Sequence, residues 1–161
     1  MKSKLLKKIH LALAITLFGV ISAIAAPYEK GQTLEPFQAK DQYDSAFTLK
    51  PTEIHFLLVS HDMETGKKAN AVLTARGKDF LGAQKAVYVA NIFGMPGIGR
   101  FFAIPKMKKY NHRIILADDA ALIAHFPQQT GKVTVLTVVG GKVQSIAFWT
   151  PDSEAIDGYL K

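Results

Sequence analysis

Apolar and polar positions divide this chain into segments of two kinds. The clearest is 53–60, where Ile54, Phe56, Leu57, Leu58 and Val59 make a near-continuous apolar run. Such a run marks a strand buried on both faces of a sheet. Ala86-Val87-Tyr88-Val89-Ala90 and Arg113-Ile114-Ile115-Leu116-Ala117 predict two more strands. Residues 133–139 and 142–149 predict a hairpin, because Gly140-Gly141 between β-rich runs suits a tight turn. Upstream, residues 37–43 alternate apolar and polar side chains, Asp44-Ser45 reads as a turn, and Phe47-Thr48-Leu49 follows. This predicts a short hairpin or edge element, closed by Pro51 and Thr52.

Helical spacing appears between these runs. Residues 67–76 predict a helix with Ala69, Val72 and Leu73 on one face and Gly77 at its end. A glycine-rich stretch, 91–100, leads into a basic helix over 101–110 that Pro105 should kink or split. Asp118-Asp119 can cap a short turn or helix running through Ala124. A last helix is expected over 150–160, with Thr150 as N-cap, Pro151 first, and Asp152 and Glu154 complementing the dipole. Its Ala155, Ile156, Tyr159 and Leu160 would face the sheet. Strands alternating with helices predict an α/β class, and the closing hairpin makes the sheet mixed.

The first residues follow a different pattern. Lys2, Lys4, Lys7 and Lys8 precede an apolar stretch over 11–21, and Ala23-Ile24-Ala25 offers small residues to a signal peptidase. We expect a secretory signal peptide over 1–25, cut after Ala25, a leader over 26–33, and one domain over 34–161. The expected location is periplasmic or secreted. No second apolar run of that length follows, so no stable membrane span is expected after cleavage. The formal charge of +7 changes meaning too: four lysines and no acid lie in the signal, leaving +3 for the rest. A nucleic-acid partner is not expected on that balance. The chain has no cysteine, so its stability must come from burial and hydrogen bonding.

The opening Phe37-x-Ala39-x-Asp41-Gln42, the buried run 53–60, and Val133-Thr134-Val135-Leu136 before Gly140-Gly141-Lys142-Val143 resemble the thioredoxin-like superfamily. The form is the peroxiredoxin-related one, and the stretch before the third strand, with Lys106 to Lys109, resembles small periplasmic proteins of the YtfJ type. The resemblance covers about residues 34–161 and implies a three-layer α/β/α sandwich with a central mixed sheet of about five strands. It also implies a cysteine just after the strand 53–60 and a cis-proline before the strand 133–139. Here the first place reads Ser60-His61-Asp62-Met63-Glu64-Thr65-Gly66 and the second Thr130-Gly131-Lys132, with Pro127 nearest. A thiolate is the nucleophile in thiol–disulfide and thiol peroxidase chemistry, so this chain performs neither.

Ser60-His61-Asp62-x-Glu64 lies at the carboxyl end of a core strand, where open α/β sheets bind ligands. His61 with Asp62 or Glu64 could serve a hydrolase or a metal-dependent enzyme; a polar loop in which Asp62 or Thr65 caps the next helix is the simpler reading. No metal and no cofactor is expected. His55 and His61, on one strand, would stand about 20 Å apart; His112 and His125 could join a site only through tertiary folding. Gly94-Met95-Pro96-Gly97-Ile98-Gly99-Arg100 precedes a helix as phosphate loops do, but lacks both the P-loop Lys-Ser/Thr and the dinucleotide spacing. Phe101-Phe102 beside Lys106, Lys108 and Lys109 could touch anionic lipid or a partner, or could be a helix with one core face and one solvated basic face. Trp149 is read as core or rim packing. The expected function is binding of an envelope protein or small ligand, at a mouth built from the 60–66, 94–100 and 127–131 segments. Its apolar contacts would come from Met63, Phe93 and Met95, and its polar ones from Ser60, His61, Asp62 and Arg100.

Overall fold

The computed structural model describes residues 26–161, so the expected signal segment 1–25 lies outside the described residues. The first half contains β1 (Gln38–Asp41), β2 (Ala46–Thr48), a 3-10 turn (Pro51–Glu53), β3 (Phe56–Ser60), α1 (Met63–Ala75) and α2 (Phe80–Ala83). The second half contains β4 (Ala86–Asn91), α3 (Gly97–Met107), β5 (Ile115–Ala117), α4 (Ala120–Ala124), β6 (Val133–Val139) and β7 (Lys142–Trp149). A second 3-10 turn, Ile156–Gly158, comes last.

The strands form one mixed sheet in the order β2-β1-β5-β4-β3-β6-β7. β3, β4 and β5 run parallel, while β6 pairs antiparallel with β3, and β1 antiparallel with β5. All five residues of β3 are buried, as its apolar run requires for the middle of a covered sheet. One face packs Phe56, Leu58, Tyr88, Val133 and Trp149 against α1, α2 and the C-terminal segment. The other packs Leu57, Val59, Val89, Leu136 and Val138 against Phe126, α4 and the leader. The leader is part of that layer: Tyr28 and Leu34 are buried, and Thr33 bridges to Lys142 on the outer margin of β7. Backbone bonds extend this pairing, from Gly31 N to Val143 O at 2.7 Å and from Leu34 N to Gly141 O at 2.9 Å.

The sheet has seven strands rather than about five. The N-terminal hairpin accounts for the difference, because β1 joins the parallel strands through β5 instead of standing apart. Gln42 fastens that junction: its amide donates to His112 O at 2.8 Å and accepts from Ile114 N at 2.8 Å. Asp41 holds the hairpin turn by accepting from Tyr43 N, Ser45 N and the Arg113 guanidinium.

Three helices differ from expectation. α1 begins at Met63, not 67, because Asp62 accepts from Thr65 N at 2.8 Å and caps the helix there. α3 begins at Gly97 and runs through Pro105 without interruption. Proline forfeits a single helix bond, and here it does so at an exposed position. No α-helix forms over 150–160, only the 3-10 turn at Ile156–Gly158. Glu154 folds back instead, its carboxylate accepting from Thr150 N at 2.8 Å while its carbonyl accepts from Trp149 Nε1 at 2.8 Å. Ala155 is then extended and exposed, and only Pro151, Ile156 and Leu160 of the segment are buried.

Candidate functional site

The carboxyl ends of the parallel strands lie at one edge of the sheet, and three segments meet there. At Ser60 the chain leaves β3, and two residues later Asp62 starts α1. Burial alone would raise the Asp62 pKa. The backbone and hydroxyl hydrogen bonds from Thr65 outweigh that and hold it below the ordinary value. Ser60 Oγ lies 2.9 Å from the hydroxyl of Tyr88, which donates to Gly66 O at 3.5 Å. The phenol is buried, and that burial pushes its pKa up. This hydroxyl chain fixes the first turn of α1 onto β4. It also explains Gly66, since a Cβ there would lie 3.3 Å from Ser60 Oγ.

His61 points away from these groups. Its Nε2 is 2.9 Å from Thr134 Oγ1, and Thr134 in turn donates to the carbonyl of Pro127. The threonine hydroxyl has one proton and gives it to Pro127, so His61 must donate and carries its proton on Nε2. Its Nδ1 is buried and has no hydrogen-bond partner. Burial lowers the His61 pKa, with smaller opposing effects from Pro127 and Asp62. The ring makes no hydrogen bond to Ser60, Asp62 or Glu64; Thr134 occupies Nε2 and the helix cap occupies Asp62. A base with an orienting carboxylate is therefore not assembled by His61, Asp62 and Glu64 in this geometry.

Between α1 and α3 lies an open groove of about 430 Å³. Ser60, Ala90 and Asn91 contribute from the strand ends, and Met63, Met95, Phe102 and Met107 supply apolar surface. Lys67 and Lys106 stand on its two banks, one on each helix. Of the expected binding residues, Ser60, Asp62, Met63 and Met95 line this groove; His61, Phe93 and Arg100 do not. Phe93 is exposed on the loop before α3. The 127–131 segment reaches the site only through the Pro127–Thr134–His61 chain.

Arg100 faces the opposite side of α3. It pairs with both carboxylate oxygens of Asp118, and donates to Met95 O at 3.0 Å and to Ile92 O at 3.1 Å. It thereby ties the glycine loop and α3 to the end of β5, and its charge is already met. Beside it, a second hollow of about 660 Å³ lies between α3 and the β1–β2 hairpin, with Lys40, Leu116 and Asp118 in its wall.

The remaining histidines stay apart. His112 is buried against Asn70, and His125 stacks on Tyr28. Among the described residues no group of three or more His, Cys, Asp or Glu could hold a metal ion. Trp149 is fully buried. Phe102, Met107 and Lys67 were not foreseen as groove residues. One signal was present in the sequence: of four methionines, the three beyond Met1 all line this groove.

No protein-family model matches the sequence, and no curated protein matches it. Solved structures do. A thio-disulfide isomerase from Thermus thermophilus aligns over 83% of this chain and 92% of its own, at TM-score 0.52 and 18% identity. A peroxiredoxin-like protein from Aquifex aeolicus aligns over 85% and 86%, at TM-score 0.55 and 8% identity. A peroxidoxin from Mycobacterium tuberculosis aligns over 82% and 94%, at TM-score 0.53 and 14% identity. The fold is thioredoxin-like. Such low identities carry the fold and not the activity, and this thioredoxin-like chain has no cysteine with which to perform thiol chemistry. Among the described residues no helix is long and apolar enough to cross a membrane.

Proposed function

We propose that this chain is an exported, non-redox binding domain that takes an apolar ligand or partner segment into the groove between α1 and α3. The observation that carries this reading is the lining of the groove. Three methionines and Phe102 border a cleft at the carboxyl edge of a parallel sheet, where α/β folds commonly place ligands. Methionine side chains adapt to varied apolar shapes, and the volume falls within the range of small-molecule sites. Lys67 and Lys106 favour an occupant with an anionic end. Ser60 and Asp62 help shape the wall through the bonds that hold the start of α1.

A titration with the apolar anionic dye 8-anilinonaphthalene-1-sulfonate tests the groove. Saturable binding is expected in the wild type, to be blocked by Ala103→Trp, a bulky substitution on the α3 wall of the groove, and weakened by Met95→Asp. Binding that neither substitution alters would overturn the assignment. Export is tested separately by the intact mass of protein recovered from the envelope fraction, expected to begin at Ala26. Recovery with residues 1–25 retained, or in the cytosol alone, would overturn it.

A further inference from the structure

The outward face of α3 carries three of the seven large hydrophobic side chains exposed among the described residues. Ile98, Phe101, Phe102 and Pro105 fall at helical spacings i, i+3, i+4 and i+7, a stripe that ordinarily turns toward a core. Here it turns to solvent: Ile98 is 69% exposed, Phe101 71% and Phe102 58%. No residue of α3 is buried, and Phe93 on the preceding loop is exposed as well. The next turn brings three exposed lysines, Lys106, Lys108 and Lys109. None of them forms an ion pair among the described residues. Residues 80–117 contain no aspartate or glutamate at all. Both arginines in that stretch are already paired, Arg100 with Asp118 and Arg113 with Asp41.

We infer that this face docks on an anionic lipid surface. Apolar side chains on an exposed helix face can enter the acyl boundary while neighbouring lysines reach the headgroups. A polybasic cluster adds electrostatic attraction to anionic lipid. A second copy suits the surface poorly, because two such faces would bring six lysines together with no carboxylate between them. An acidic protein would need its own carboxylates set against three lysines around an apolar stripe, whereas an anionic bilayer supplies both an apolar interior and a negative surface. Phe102 and Lys106 are shared with the groove, whereas Ile98 and Phe101 are outside it, so a change at Ile98 and Phe101 separates the two proposals.

The test uses residues 26–161, which supply the whole sheet and both of its packed faces. Sedimentation with vesicles containing phosphatidylglycerol should retain the protein, and pure phosphatidylcholine vesicles should not. Lys106→Ala, Lys108→Ala and Lys109→Ala should each weaken binding about fivefold. Ile98→Ser with Phe101→Ser should weaken it about tenfold or more, while dye binding in the groove and the circular dichroism spectrum stay unchanged. Equal retention on neutral and anionic vesicles, or on neither, overturns the inference. So does self-association, or capture of an acidic protein, that depends on Phe101 in a chain that ignores vesicles.

Discussion

His61 gives its Nε2 proton to the hydroxyl of Thr134, 2.9 Å away, on the strand that flanks β3. Thr134 forwards the arrangement to Pro127, so the loop after β3 and the segment before β6 are joined by one chain of hydrogen bonds. Thr134→Val should remove both bonds and leave the His61 donor buried without a partner. The expected loss is about 1–3 kcal/mol, read from urea denaturation. Thr134→Ser keeps the hydroxyl and should restore most of it. Equal losses in the two variants would show that the methyl group, not the oxygen, matters.

Acid should destabilise the protein in a defined window. His112 donates to Asn70 and stacks on Tyr110, and its burial lowers the pKa from 6.5 to about 4. Between those values the unfolded chain binds a proton that the native ring refuses. Stability is therefore fully present above about pH 6.5 and falls as pH drops toward 4, by about 3 kcal/mol at most. Below that both states are protonated and the loss stops growing. His61, also lowered, acts in the same direction. Asp41 and Asp62 have depressed values and contribute only under more acid conditions. Urea midpoints from pH 7 to 4 check this, and His112→Gln should flatten the slope.

Gly66→Ala should behave differently in two backgrounds. In the wild type the new methyl crowds Ser60 Oγ and disturbs its bond to Tyr88, so a loss of stability is expected. With Ser60→Ala already in place the remaining neighbours are at 3.6 Å or more, and alanine's helix preference should give about 0.5–1 kcal/mol. The same effect in both backgrounds would break the proposed link between the hydroxyl chain and the glycine.

Arg100→Ala should loosen the 92–107 region without unfolding the sheet. Amide hydrogen exchange should accelerate there, while β3 and β6 keep their protection. Arg100→Lys is expected to rescue little, because one ammonium cannot reach Asp118, Ile92 O and Met95 O together.

Much of the fold was legible because strong local signals agreed with long-range packing. Gly140 and Gly141 adopt φ of 56° and 78°, and the hairpin around them has the expected bounds. Asp119 caps α4 as its position suggested. The C-terminal segment misled because Thr150, Pro151 and Glu154 look the same in a helix start and in a closed turn. What decides between them is Trp149, whose indole takes the Glu154 carbonyl. The site was legible in its loops but not in its directions. Neighbours in sequence, Ser60, His61 and Asp62, turn to three different partners: Tyr88, Thr134 and Thr65. The outward stripe of α3 was legible only as one of two readings, since Phe101 and Phe102 beside lysines suggested a contact surface while their spacing is equally that of an ordinary buried face.

The leader has a consequence for solubility. β7 is the last strand of the sheet, and residues 31–34 run beside its first residues with backbone bonds to Gly141 and Val143. A bare margin of this length is a template for chain-to-chain pairing. A variant beginning at Glu35 would lose that selvage together with the buried Tyr28 and Leu34. Light scattering should then show time-dependent aggregation under conditions where the longer chain stays dispersed. The short stretch between the expected cleavage point and the first strand is thus expected to shield the start of β7 from fibre-like growth.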